Sequence, residues 1–412
     1  MYTFERNIEK YAEIAVNVGV NLKAGENLVI RGDLDGLPLM REIAKAAYKA
    51  GANHVQFLPT DGEMVLSRYT YGRREAFEYF PNWLSEAYKG MIQENYSMIY
   101  VSSADPELLK DIDPKIVALD AKTTSNGLLA YSEATMTGRM KWNVIGMPSK
   151  AWAKMVFPEQ SDEEAIELLW DKIFEVSRIY AEDPVMAWKQ HDDRLKKYCQ
   201  FLNDNQFEKF LYKGPGTDLE VYLAEGHEWI GGSKPDVNGV SFLPNVPTEE
   251  VFTMPHAKKI NGTLKSTKPL TVRGQLIDGF GFEFKDGKVI DYYAEKGKEV
   301  LKSLLETDEG ALYLGEIALV PVDSPISNSG IIFSNTLYDE NASCHFALGK
   351  AYPYTIVGGS DMSKEALAER GANFSLIHVD FMVGSSELDI IGVTKDGKEI
   401  DIFKAGNWAL EV

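Results

Sequence analysis

Two adjacent acids stand in a stiff stretch of this 412-residue chain, LPNVPTEEVFTMP (243–255). Glu249 and Glu250 follow a proline in a run that has no other charged residue. Proline fixes φ and removes a hydrogen-bond donor, so the backbone here is stiff and partly extended. In an extended segment neighbouring side chains point to opposite faces, so only a turn would let both carboxylates reach one site.

A histidine and an acid one residue apart form a second candidate, in LIHVDFMVGS (376–385). The β-branched and aromatic composition predicts a strand. On a strand His378 and Asp380 point to the same face. They can therefore offer a nitrogen and an oxygen ligand to a single metal ion.

Three further residues stand in suggestive surroundings. Glu316 interrupts LYLGEIALVPV, which otherwise reads as a buried strand, and a buried carboxylate is costly unless it is paired or metal-bound. Glu340 and His345 lie five residues apart in LYDENASCHFALGKAYPY (337–354), where Tyr352 follows.

The second half thus contains a set of acids and histidines suited to metal binding. They are Glu249, Glu250, Glu316, Glu340, His345, His378 and Asp380. Such mixed ligands suit Zn²⁺, Co²⁺ or Mn²⁺ rather than a thiolate site. One ion needs three or four protein ligands, so six or seven fit a two-metal site.

Ordinary interpretations stand beside this one. A His-x-Asp pair occurs in many strands, two glutamates after a proline often form a surface turn, and no local metal signature such as HExxH is present. His191, on the charged segment KQHDDRLKK, is predicted to be structural or at the surface. Cys344 has no cysteine-protease pattern around it and is interpreted as a buried structural residue.

The elements that must carry these residues differ between the two halves. In the first half, ENLVIR, a helix from Pro38 to Gly51 and NHVQFL form a β-α-β unit, followed by strands at 97–103 and 142–148. Ser161 to Glu164 has capping-box spacing before another helix. We therefore predict an α/β domain with a mainly parallel sheet over residues 1–205.

After residue 205, glycines and β-like alternation dominate. The stretch 269–295 predicts a meander with turns at Asp278–Gly279 and Asp286–Gly287, and the last strands predict a hairpin that turns at Asp396–Gly397. Residues 206–412 are therefore predicted to be an α+β domain, rich in antiparallel strands, that carries the metal site and catalysis.

Composition excludes several classes of protein. The chain has 43 Lys and Arg against 62 Asp and Glu, and this net charge of −19 argues against nucleic-acid or anionic-membrane partners. It contains no apolar run long enough to span a membrane and no N-terminal signal peptide, so we expect a cytoplasmic protein. Two cysteines do not make a disulfide scaffold.

Several longer motifs, in one order along the chain, resemble those of the aminopeptidase T / aminopeptidase S (PepS) family of bacterial metallo-aminopeptidases. They are PNVPTEEVFTMP, STKPL (266–270), GEIALVP (315–321), SPISNSGIIFSNTLYDENASCH (324–345) and HVDFMVGS (378–385). DPVMAWKQH and KGPGTDLEVYL extend the likeness to essentially the whole chain. The resemblance implies a two-domain cytoplasmic homodimer that uses two divalent ions, cobalt, zinc or magnesium, to cleave peptides with a free N-terminus.

Transferred to this sequence, the family's metal ligands fall on residues already singled out. They are Glu250, Glu316, Glu340, His345, His378 and Asp380. The resemblance also places Tyr352 near the metals, where it can donate a hydrogen bond to an oxyanion or ligate an ion. By analogy with other dinuclear aminopeptidases, Glu249 is the candidate general base for an activated bridging water.

Three rival functions remain open at this point. Another dinuclear metal-dependent hydrolase, an amidase or phosphoesterase, would need the same ligands. A non-catalytic binding protein would have a degenerate site, and a cysteine-dependent enzyme would depend on Cys344.

Overall fold

The computed structural model describes residues 3–103, 105, 107–272 and 275–410. The chain divides into two compact units. The first contains Met1–Gln190, Ser233–Pro247 and Ile332–Leu337, and the second contains His191–Gly232, Thr248–Ile331 and Tyr338–Val412. The predicted division into domains at residues 205 and 206 stays a proposal.

The helices lie mostly in the first half of the chain. In chain order they are α1 (Phe4–Ile14), α2 (Leu37–Lys49), α3 (Gly62–Tyr71), α4 (Asn82–Gln93), α5 (Pro114–Gly127), α6 (Leu129–Met136), α7 (Lys150–Val156), α8 (Asp162–Val176), α9 (Pro184–Asn205), α10 (Lys298–Leu305), α11 (Pro325–Asn328), α12 (Thr336–Asp339) and α13 (Lys364–Glu369).

The strands are concentrated in the second half. In chain order they are β1 (Asn27–Asp33), β2 (His54–Thr60), β3 (Tyr96–Ser102), β4 (Trp142–Gly146), β5 (Lys209–Gly214), β6 (Thr217–Leu223), β7 (Ile230–Gly231), β8 (Lys234–Pro235), β9 (Ser241–Phe242), β10 (Asn245–Val246), β11 (Val251–Thr253), β12 (Pro255–Lys265), β13 (Leu270–Val272), β14 (Gln275–Lys285), β15 (Lys288–Lys296), β16 (Leu314–Leu319), β17 (His345–Gly349), β18 (His378–Met382), β19 (Asp389–Val393), β20 (Glu399–Lys404) and β21 (Asn407–Trp408).

The first unit is built on a parallel sheet, as predicted. Its strand order is β10-β4-β3-β1-β2, and each neighbouring pair is parallel. The run Leu28, Val29 and Ile30 of β1 is buried without alternation, which is typical of a strand covered on both faces. Helix α8 begins with the predicted capping box, because Ser161 and Glu164 bond each other's backbone N–H groups.

The second unit is built from antiparallel sheets, which confirms the predicted fold class. One sheet has the order β18-β17-β16-β11-β7, and a larger one has the order β13-β14-β12-β6-β5-β19-β20-β21, with β15 paired to β14. Apolar side chains from both sheets form one core. Within it the ring centroid of Phe381 on β18 lies 5.2 Å from that of Phe282 on β14.

One predicted turn is wrong. Asp278–Gly279 lies inside β14 rather than between strands, and Gly279 has a positive φ of 58° within that strand. The backbone is irregular at this Asp-Gly dipeptide, but the strand continues, since Asp278 still pairs with Lys296 of β15. The other two predicted turns, at Asp286–Gly287 and Asp396–Gly397, do connect neighbouring strands.

Within the described part of the chain, no helix is both long and apolar enough to cross a bilayer.

Candidate metal centre

Five of the predicted ligands converge in the second unit, in two overlapping groups. Glu250, Glu316 and His345 form one group, and Glu316, His378 and Asp380 form the other. Within each group one ligand atom per residue lies within 4.8 Å of the others. The Glu316 carboxylate belongs to both groups and is therefore placed to bridge them.

Strand register explains most of this convergence. Glu316 of β16 lies opposite Ala347 of β17, and Ala347 lies opposite Asp380 of β18. Residues opposite each other in neighbouring strands share a face, as do residues two apart in one strand. His345 is two residues before Ala347, and His378 is two residues before Asp380. All four polar side chains therefore project from the same face of the sheet.

The imidazole nitrogens face carboxylate oxygens. His345 Nε2 lies 3.3 Å from Glu250 Oε2 and 3.8 Å from Glu316 Oε1. His378 Nε2 lies 3.7 Å from Glu316 Oε2 and 3.4 Å from Asp380 Oδ1. These separations are longer than a good charge-assisted hydrogen bond, and they leave the nitrogen and oxygen atoms facing a common space.

Backbone carbonyls orient both rings. His345 Nδ1 lies 3.2 Å from the carbonyl oxygen of Ser343, and His378 Nδ1 lies 2.7 Å from that of Lys350. A carbonyl oxygen only accepts, so each Nδ1 carries a hydrogen and donates it. Nε2 is then the atom left to bind a cation. This is the arrangement by which proteins fix metal-binding histidines.

Crowding perturbs the acids. Burial raises the pKa of Glu316, and the charges of Asp380 and Glu250 raise it further, against the attraction of His345 and His378. Burial also raises the pKa of Glu340 well above its usual range, with the charges of Glu250 and Asp380 adding to it. Carboxylates held this close need a compensating positive charge.

The pKa values of the two histidines are raised as well, which favours their charged form. Burial opposes protonation of His345, but the nearby carboxylates of Glu250 and Glu316 outweigh it and raise its pKa well above the usual value. For His378, burial is likewise outweighed, chiefly by Asp380, and its pKa rises to about 9. The centre therefore attracts protons strongly. Divalent cations, which compete with protons for the same atoms, fit this set of nitrogen and oxygen donors.

Glu340, the sixth predicted ligand, is placed differently. It begins the 3₁₀ turn Glu340–Ala342 and belongs to neither group of converging ligand atoms. Its carboxylate nevertheless interacts electrostatically with Glu250, Asp380, His345 and Glu316. The structure thus brings Glu340 to the neighbourhood of the centre without placing it among the converging atoms.

Tyr352 lies beside the centre, against one of the histidines. Its ring centroid is 4.6 Å from that of His378, and its ring stacks on that of Tyr354 with the centroids 5.2 Å apart. Burial, with the charge of Glu316, raises the pKa of Tyr352, so its hydroxyl keeps its proton. Burial and Glu316 raise the pKa of Tyr354 in the same way, and sequence reasoning gave Tyr354 no role.

Glu249 and Glu250 have different partners. Residues 248–250 belong to neither a helix nor a strand. The Glu250 carboxylate meets His345, whereas Glu249 Oε2 lies 3.3 Å from Nε2 of His191. Glu249 is buried and lies outside both ligand groups.

His191 is a residue whose contact with this segment sequence reasoning missed. It lies on α9 and is 4% exposed although charged residues surround it in the sequence. A signal was present in the helical spacing, because His191 falls in line with Trp188, Leu195 and Leu202, all of which are buried.

The thiol of Cys344 is structural. It is buried, its Sγ lies 3.3 Å from the carbonyl oxygen of Val320, and burial raises its pKa to about 12. A thiol with so high a pKa contains almost no thiolate near neutral pH, so it is a poor nucleophile.

Comparison with known proteins gives the centre its context. The profile of the family described as thermophilic metalloprotease (M29) matches residues 4–408. The chain is 48% identical over 412 residues to "Aminopeptidase 2" of Geobacillus stearothermophilus, covering 100% of both chains. It is 43% identical to "Aminopeptidase AmpS" of Bacillus subtilis, over 99% of this chain and 100% of that protein.

Comparison with solved structures agrees with these sequence matches. The solved structure described as wild-type AmpT from Thermus thermophilus superposes with a TM-score of 0.93 at 38% identity, over 99% of this chain and 100% of that one. Family profile, relatives and structure all cover essentially the whole chain. The chain therefore belongs to the M29 family of thermophilic metalloproteases.

Proposed function

We propose that this protein is a metallo-aminopeptidase that releases N-terminal amino acids from peptides at a centre for two divalent ions. The observation that carries the proposal is the pair of ligand groups that share Glu316. A shared carboxylate is typical of two-metal hydrolase sites. The full-length relatives named as aminopeptidases support the choice of reaction.

The two groups of converging residues would each hold one ion. Glu250, Glu316 and His345 would hold one ion, and Glu316, His378 and Asp380 the other. Glu340 is proposed as an additional carboxylate ligand. Cobalt, zinc or magnesium are the proposed ions, and imidazole nitrogens favour the first two over magnesium.

When bound, the two ions would supply an activated water and would polarise the scissile carbonyl. The side chains of the protein supply orientation and charge. The four carboxylates of Glu250, Glu316, Glu340 and Asp380 would balance the charge of two divalent ions. The free α-amino group of a peptide would bind an ion or a nearby carboxylate, and this contact would limit cleavage to the first peptide bond.

Tyr352 and Glu249 are the proposed catalytic residues. The Tyr352 hydroxyl keeps its proton because burial raises its pKa, so it can donate a hydrogen bond to the developing oxyanion. Glu249 is the proposed general base, which would take a proton from the attacking water and pass it to the leaving amine. A Glu249→Gln protein that retains its metals and near-normal turnover would exclude this role for Glu249.

Substrates with free and blocked N-termini test the proposed reaction. Protein stripped with a chelator and reloaded with Co²⁺ or Zn²⁺ should hydrolyse leucyl- and arginyl-anilides and leave their N-acetylated forms intact. Equal cleavage of both forms would favour the alternative of an amidase. Cleavage of an aryl phosphate diester instead would favour a phosphoesterase.

A cytoplasmic homodimer is part of the same proposal. Its support is the resemblance to the aminopeptidase T / aminopeptidase S family and the lack of a spanning helix in the described residues. Sedimentation equilibrium should give twice the chain's 46.1 kDa. A mass of one chain at micromolar concentration would remove the dimer from the proposal.

A further inference from the structure

One peptide unit beside the centre is held at both ends by buried side chains. The carbonyl oxygen of Thr248 lies 2.9 Å from His191 Nε2, and the N–H of Glu249 donates to Asn341 Oδ1 at 2.7 Å. Thr248, His191 and Asn341 are at most 5% exposed. Because residues 248–250 lie outside any strand, side chains here take the place of ladder hydrogen bonds.

The proton on His191 can be assigned from its neighbours. An NH2 group of Arg194 lies 3.2 Å from His191 Nδ1, and a guanidinium only donates, so Nδ1 accepts. Nε2 therefore carries the hydrogen and donates it to the Thr248 carbonyl. Glu249 Oε2, 3.3 Å from the same nitrogen, receives a weaker share. Arg194 thus fixes the tautomer that the contact with Thr248 requires.

This peptide unit and its partner Asn341 both adjoin proposed ligands in the sequence. Glu250 comes directly after the peptide unit, and Asn341 comes directly after Glu340. The other proposed ligands, Glu316, His345, His378 and Asp380, stand in strands whose ladders hold them.

Glu250 and Glu340 lack that support, since one precedes β11 and the other begins a 3₁₀ turn. The hydrogen bond from Glu249 to Asn341 ties their two segments together.

We propose that His191 and Asn341 are positioning residues that clamp the Thr248–Glu249 peptide and so hold Glu250 in the geometry that metal binding requires. This inference rests on the proposed metal centre. Both hydrogen bonds of the clamp end on the Thr248–Glu249 peptide, so the clamp acts on Glu250 through the backbone. Side chains behind a ligand commonly change metal affinity by about 10–100-fold when they are removed.

Two amide substitutions at position 191 distinguish the hydrogen bond at Nε2, to Thr248, from the one at Nδ1, from Arg194. Glutamine in His191→Gln extends about as far as Nε2 and can still donate to Thr248. Asparagine in His191→Asn extends only as far as Nδ1 and cannot. Asn341→Leu removes the other half of the clamp and keeps a side chain with the same branching and number of heavy atoms. Trp188→Phe, on the same helix, is the matched control, because it removes a buried hydrogen bond from Trp188 to the Ser177 carbonyl oxygen.

The measurement is the dissociation constant for Zn²⁺ of the full-length protein, by competition with a chelating dye, below the unfolding temperature of every variant. His191→Asn and Asn341→Leu should bind about 10–100-fold more weakly. His191→Gln should bind nearly as the wild type, and Trp188→Phe should lose thermal stability with unchanged affinity. A purely structural role would lower stability alone.

Two results would overturn the clamp. One is wild-type Zn²⁺ affinity in both His191→Asn and Asn341→Leu, and the other is equal weakening in His191→Gln and His191→Asn. Should His191→Asn fail to fold, Asn341→Leu still decides the question. Glu250→Gln in the same assay separates the two levels of the proposal. If it too binds normally, the metal centre itself is wrong, whereas weakening in Glu250→Gln alone removes only the clamp.

Discussion

The Glu316→Gln substitution should have different effects on the stability of the metal-free protein and on the stability gained from metal. Glutamine keeps the shape of the buried side chain but removes the charge that both ligand groups share. In the metal-free protein this charge is a burden, because burial and the charges of Asp380 and Glu250 raise the pKa of Glu316. We therefore expect the metal-free variant to unfold at or above the wild-type temperature.

The expected size with metal follows from mass action. An ion present at 100 times its dissociation constant stabilises the native state by about 2.7 kcal/mol. For a domain of about 150–250 residues this raises the unfolding temperature by roughly 5–10 °C. Each tenfold loss of affinity removes about 1.4 kcal/mol, so a variant that binds 100-fold more weakly should show almost no increase.

Differential scanning calorimetry with and without Zn²⁺ makes the measurement. Glu283→Gln is the matched control, since Glu283 is exposed on β14 and its substitution should leave the metal-dependent increase intact. A Glu316→Gln protein that gains as much stability from Zn²⁺ as the wild type would refute the shared-carboxylate interpretation.

Three further predictions concern single residues. Burial lowers the pKa of His227 to about 4, against 6.5 for the free residue. The neutral ring therefore contributes fully to the free energy of unfolding above pH 6.5. About 3 kcal/mol of that contribution is lost as the pH falls to 4. Urea denaturation of His227→Asn should show a shallower loss over that window, and an identical slope would contradict the assignment. Cys344→Ala should retain turnover that a chelator abolishes; loss of activity despite normal folding would revive the thiol mechanism. Tyr352→Phe should lower kcat by about 10²–10³-fold with little change in KM, and unchanged kcat would exclude the oxyanion role.

Much of the fold could be predicted because local pattern and tertiary structure agree. The apolar run of β1, the helix after it and the next strand follow from periodicity alone, and the capping box at Ser161 follows from two residue types at fixed spacing. At Asp278–Gly279 the local pattern misled. The residues typical of a hairpin turn occur there inside a strand that β15 continues to pair.

The candidate site was predictable in its membership more than in its arrangement. Periodicity places His378 and Asp380 on one face, but only the register of β16, β17 and β18 brings Glu316 to them. Register depends on residues far apart in the sequence and leaves little local trace. The different partners of Glu249 and Glu250 could not be predicted either. The two residues lie in an irregular segment, which has no periodicity from which the directions of their side chains can be derived.

The most direct test is a metal titration of the chelator-treated protein, followed by native mass spectrometry and by hydrolysis of leucyl-anilide in parallel. We expect two equivalents of Zn²⁺ or Co²⁺ per chain, hydrolysis that returns as they bind, and no hydrolysis of the N-acetylated substrate. Full hydrolysis by protein that contains no metal would contradict the proposed function. So would a protein that binds no ion even when Zn²⁺ or Co²⁺ is in excess.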